Sequence, residues 1–159
     1  MEHTATPEPT PARPAAPETG PDVVRVERTG TRRYVATNSR GAQVQIGGEE
    51  TDGAFTPGEL LAIALGACNV MTADFPLSRR LGEDFTASAS VGRTKLVAEN
   101  RYTAADVDFV LGPEAADRLA DLEPVMRRAI ERGCTVARTL EAGLEVSLTI
   151  RAEKHEGEG

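Results

Sequence analysis

Residues 60–71 are apolar on every side of a helix, with Asn69 the only interruption. A helix without a polar face belongs in the middle of a fold, covered on several sides. Such a segment is too short to cross a bilayer, and the reading finds no run of about 20 apolar residues that would do so. Its start is marked by Thr56-Pro57-Gly58-Glu59, where Thr56 can cap and Pro57 suits the first turn. Ala62, Ala64, Gly66 and Ala67 add little bulk, so a neighbouring element can approach closely where Cys68 projects. The helix turns polar beyond Asp74 and ends near Leu81-Gly82, with Arg79 and Arg80 favourable at its negative end.

The flanking segments alternate in another rhythm. Val24, Val26, Tyr34 and Ala36 alternate with polar residues, and Thr29-Gly30 and Ser39-Arg40-Gly41 supply turns, which predicts an antiparallel meander over residues 23–46. Residues 47–53 read as a polar loop whose glycines are wrongly placed to cradle a phosphate. Residues 86–97 and 105–111 read as two strands around a turn near Asn100. Gly112-Pro113 then opens a helical region with Ala115, Leu119, Leu122, Met126 and Ile130 at helical spacing, in which Pro124 either kinks the helix or begins a second one. Gly133 stops it, Cys134 follows, residues 135–140 form a short helix, and residues 144–150 close the chain as a strand. Elements in this order, with short links, favour an α+β domain over a doubly wound parallel sheet.

The chain of 159 residues is long enough for one domain that buries roughly 70% of its unfolded surface. The Pro-rich residues 1–21 have too little apolar surface to offset the entropy of ordering and read as a disordered tail. The domain spans residues 22–152, and residues 153–159 form a polar C-terminal tail. A formal net charge of -7 argues against nucleic acid or an anionic membrane as partner, since both need a concentrated basic face. No apolar stretch follows a basic start, so the expected location is cytoplasmic.

Chemistry narrows to the two cysteines. The only histidines, His3 and His155, lie in the tails, so no serine or cysteine hydrolase with an imidazole base can be built from the domain. The Cys68 and Cys134 spacing matches no Cys-x-x-Cys pair, and a structural zinc site would lack its usual ligands. What remains is a redox thiol pair, or two small buried hydrophobes. In a reducing cytosol a cycling pair fits better than a structural staple.

Thr56-Pro57-Gly58-Glu59-Leu60-Leu61 running to Leu65-Gly66-Ala67-Cys68, and then Cys134-Thr135-Val136-Ala137-Arg138-Thr139-Leu140, resemble the two signatures of the OsmC/Ohr family. That family is named for osmotically inducible protein C and organic hydroperoxide resistance. The resemblance extends over roughly residues 22–152 and implies curved antiparallel sheets, two central helices and an intertwined homodimer with active sites at the subunit interface. It further implies a peroxidase for organic hydroperoxides with no metal or cofactor. Cys68 would be the peroxidatic thiolate, Cys134 the resolving thiol, and an external dithiol such as a lipoylated protein the reductant. Family members bring an arginine from the first strands, for which Arg32 and Arg33 are the nearest equivalents; each is equally readable as a solvated strand residue.

The residues set two conditions on that scheme. A thiol near pKa ~8.5 is mostly protonated in the cytosol and needs a cation or a helix N-terminus beside it. Cys68 lies mid-helix, beyond the amides of its own first turn, and Ala67 and Asn69 carry no charge, so an arginine is expected from elsewhere. Cys134, after Gly133 and one turn before Arg138, has the more activating local setting, so the two thiols can also be read in reversed roles. The family carboxylate follows the proline directly, where this chain has Gly58. Glu59 is one position and about 100° away, and either takes that role or caps the helix. A second reading of the whole chain is therefore a non-enzymatic small-molecule-binding or redox-sensing protein on the same fold.

Overall fold

A computed structural model describes residues 23–144 and 146–151. The tails assigned to residues 1–21 and 153–159 lie outside the described residues. Three strands open the chain: β1 (Arg25–Gly30), β2 (Arg33–Thr37) and β3 (Gln43–Gly47). They form an antiparallel sheet in the order β1-β2-β3, with Val26 opposite Ala36 and Tyr34 opposite Ile46. The meander is the one the alternation predicts. Its first turn falls on Thr31 and Arg32, with Arg32 at φ 55, while Gly30 stays in β1 at a register shift. The second turn is held by Asn38, whose Oδ1 accepts from the backbone N–H groups of Arg40 and Ala42 at 3.0 Å each.

Helix α1 (Pro57–Leu81) starts where the sequence places it. The Thr56 hydroxyl accepts from the Glu59 N–H at 3.2 Å, and Glu59 Oε2 accepts from the Thr56 N–H at 2.7 Å, a reciprocal capping box. Beyond the loop, β4 (Ala87–Leu96) and β5 (Arg101–Leu111) form an antiparallel hairpin with Val91 opposite Val107. A 3-10 turn at Val97–Glu99 and left-handed Asn100 (φ 49) connect them, so β5 begins four residues earlier than expected. Pro113–Arg118 is 3-10 helix, and α2 (Leu119–Gly133) runs through Pro124 instead of beginning there. Helix α3 (Thr135–Ala142) follows after the single residue Cys134.

Helix α1 rests on β4 and β5 on one side and on α2 and α3 on another. The core lies toward its C-terminal half, where Ala73 and Leu77 meet Ala115, Leu122 and Met126, with Phe85, Phe109 and Leu111 closing over them. The sheet β1-β2-β3 stands largely apart from this body.

Three expectations need correction. Helix α1 is not covered all round: Met71 and Phe75 are each 73% exposed, and Leu61 and Ile63 are also accessible. The elements that cover it reach only part of its circumference, so a long apolar stripe faces outward. The helix ends at Leu81, as the sequence places it, but at 25 residues it is long and apolar enough to cross a membrane by length and composition, which corrects its reading as too short. Its packing on the hairpin, α2 and α3 makes it the core helix of this fold. Finally, Leu144 and residues 146–151 form no strand, and Val146, Leu148 and Ile150 are more than four-fifths exposed. Alternation marks them as strand-like, but the segment has joined no ladder.

Candidate active site

The two thiols that the sequence separates are brought together where α1 meets the corner between α2 and α3. Cys134 ends α2 and caps α3: its N–H donates to the Ile130 carbonyl, and its Sγ accepts from the Ala137 N–H at 3.4 Å. It is fully buried. The corner can press against α1 because Gly133 has no side chain; a Cβ there would stand 2.8 Å from Thr72 Cγ2. Thr72 lies one turn beyond Cys68, and its hydroxyl donates to the Cys68 carbonyl at 2.6 Å.

This arrangement separates the two sulfurs electrostatically. Burial pushes the Cys68 thiol up, but the Cys134 thiol, the Val136 N–H, the Thr72 hydroxyl and the Thr135 N–H together outweigh it, and Cys68 ionises below the ordinary cysteine value. Burial also pushes Cys134 up. Donation to Cys68 and the negative charge there raise it further, the Ala137 and Val136 N–H groups only partly oppose this, and the net shift is upward. The two thiols titrate as a pair, in which the neighbouring amides favour Cys68 as the sulfur that carries the charge. Sequence reasoning denied Cys68 the amides of a helix N-terminus, because those of α1 are too far away. The amides come instead from α3.

The remaining candidates sit elsewhere. Arg32 pairs with Glu50 on the exposed loop, Nε to Oε1 at 3.2 Å, and Arg33 is exposed on β2. Among the described residues, no guanidinium is one of the groups that shift either thiol. Glu59 is held at the helix start: hydrogen bonds from the Thr56 backbone and hydroxyl, with the nearby Arg93 guanidinium, lower its pKa despite desolvation. Two residues absent from the sequence reading stand at Gly58. Arg93 Nη1 donates to the Tyr102 hydroxyl at 3.3 Å, its guanidinium carbon is 5.3 Å from the ring centroid, and a Cβ on Gly58 would collide with this pair. Position 58 is thus filled by side chains from β4 and β5. Lys95 opposite Tyr102 is the register signal that links the two strands here, but only the folded hairpin shows that it meets the start of α1.

The family profile of OsmC-like proteins matches residues 48–149, which include both thiols and the whole of α1. This chain belongs to the OsmC-like family. Among relatives of known sequence, uncharacterized protein Rv2923c of Mycobacterium tuberculosis is 46% identical over 127 residues, covering 79% of this chain and 93% of that protein. Uncharacterized protein Mb2948c of Mycobacterium bovis matches to the same extent. Among solved structures, an OsmC-like protein from Mycoplasma pneumoniae superposes with a TM-score of 0.60 at 13% identity, over 78% of this chain and 89% of the other. An osmotic stress induced and detoxification response protein from Psychrobacter arcticus gives 0.61 at 19% identity, over 77% and 90%. These likenesses establish the OsmC-like fold.

Proposed function

We propose that this OsmC-like protein is a thiol peroxidase that reduces organic hydroperoxides. The observation that carries the reading is the meeting of the two thiols: Cys68 on α1 lies beside Cys134, which caps α3, with the Thr135 and Val136 N–H groups directed at Cys68 and favouring its thiolate. In this reaction the Cys68 thiolate attacks the O–O bond, the alkoxide leaves and takes up a proton to become the alcohol, and Cys68 becomes a sulfenic acid. Cys134 then condenses with it, releasing water and forming the Cys68–Cys134 disulfide. An external dithiol, such as that of a lipoylated protein, exchanges with this bond and restores both thiols.

The site is completed in a homodimer located in the cytoplasm. Three features support a second copy: the sheet that stands apart from the body of its own chain, the outward stripe through Met71 and Phe75, and the strand-like residues 146–150 without a ladder. Arg33 lies on that sheet and Arg32 on its first turn, and exchange between subunits is the route by which either would reach a thiol. Light scattering should give twice the 16.9 kDa chain mass; a value equal to the chain mass would remove this part of the reading.

Reduced protein titrated with cumene hydroperoxide should lose two free thiols per chain rapidly, and with hydrogen peroxide much more slowly. Equal, slow loss with both oxidants would instead favour a ligand-binding or redox-sensing protein. That second reading is supported by Gly58 in place of a carboxylate, and by Glu59 engaged as a helix cap.

A further inference from the structure

An open groove of about 590 Å³ runs between α1 and β4, on a different side of the helix from the sulfur of Cys68. Its walls are mostly small and apolar: Ile63, Gly66 and Val70 from α1, Ala89 and Val91 from β4, and Phe55 from the loop before the helix. Two charged residues also line it, Glu59 and Arg93, and they differ in one respect. The Glu59 carboxylate is already satisfied by the Thr56 N–H and hydroxyl. Arg93 has no carboxylate within 4.0 Å among the described residues, although it is positioned by Tyr102 through a stacked ring and a 3.3 Å hydrogen bond. Gly58 leaves the space in which this pair sits; any side chain there would displace the far ends of Arg93 and Tyr102.

We infer that this groove binds an amphiphilic carboxylate, with Arg93 as the anchor for its anionic head and the α1–β4 walls as the seat for its alkyl chain. The volume lies in the range of small-molecule sites, and an oriented guanidinium without an ion-pair partner, at the side of an apolar groove, complements such a ligand in both charge and polarity. The net charge of -7 and the Glu59 carboxylate in the same lining both oppose an anion, so binding of one rests on direct contact with the Arg93 guanidinium. Because the sulfur of Cys68 turns toward α3, the inference is independent of the peroxidase reading: the occupant need not be a hydroperoxide.

The test uses the full-length reduced protein and calorimetric titration with octanoate and with octanol, ligands of matched chain length and different head group. Octanoate should bind about tenfold more tightly, the ratio expected for one charge-assisted hydrogen-bonded contact. Arg93→Gln should bring that ratio close to one while leaving octanol binding unchanged. Tyr102→Phe, which keeps the ring but removes the hydroxyl, should reduce the ratio partially, and Gly58→Ala should reduce it by displacing the pair. An equal affinity for the two ligands, a ratio unaffected by Arg93→Gln, or no binding of either ligand would each overturn the inference. In the last case, a halved particle mass for Arg93→Gln would identify a second copy of the chain as the occupant. Peroxide-driven thiol loss, measured in parallel, should be the same with and without octanoate in the wild type if the two sites are separate.

Discussion

Cys68→Ser should reduce consumption of cumene hydroperoxide to background, whereas Cys134→Ser should still consume one equivalent per chain and then stop. The difference follows from which sulfur carries the charge. Removing Cys68 removes the thiolate that the Cys134 thiol and the α3 amides stabilise. Removing Cys134 leaves a nucleophile that retains the Val136 and Thr135 amides but has no partner to resolve its sulfenic acid, which mass spectrometry after dimedone labelling should detect. The pH dependence has a defined sign. Cys68 ionises more readily than an ordinary cysteine, so its alkylation rate should reach half its maximum at a lower pH than that of a free cysteine thiol and fall as pH is lowered, because the thiolate is lost by protonation. Cys134, shifted upward, should react only at higher pH. The reverse pattern, with Cys134→Ser inert and Cys68→Ser active for one turnover, would exchange the two roles.

Leu77→Ala should be the most damaging of the conservative changes to the fold, costing about 3 kcal/mol. Leu77 is 1% exposed and sits among Ala73, Ala115, Leu122 and Met126, so truncation leaves a cavity at the junction of α1, the 3-10 segment and α2. Two of these neighbours are already alanine and cannot grow inward to fill it. With a urea m-value of about 2 kcal/mol/M, the midpoint should fall by roughly 1.5 M. A shift under about 0.3 M would mean that the site collapses, and that this cluster is not the principal core.

Much of this architecture is readable locally. Period-2 alternation gave the meander, Thr56 with Glu59 marked the start of α1, and Gly133 marked the stop that places Cys134 at a helix N-terminus. Each signal is local, with cause and effect within a few residues. The features that were not legible depend on distant pairing. The amides that lower the pKa of Cys68 belong to a helix beginning at Thr135, and the side chains filling the space at Gly58 come from positions 93 and 102. An apolar helix surface shows that burial is required, but not whether its own chain supplies the cover; among the described residues Met71 and Phe75 find none. The same holds for residues 146–150, whose alternation identifies a strand but not the edge it would join.

The order of the elements also bears on how the chain emerges during synthesis. Nearly everything that α1 rests on, the β4–β5 hairpin, α2 and α3, is encoded after it. At roughly 5–20 residues per second, a ribosome needs on the order of 3–12 s to progress from Leu81 to Ala142. For that interval the nascent polypeptide carries a greasy rod with no cover of its own, one that meets the compositional requirements of a bilayer span. The period of greatest aggregation risk for this fold therefore comes before translation is complete.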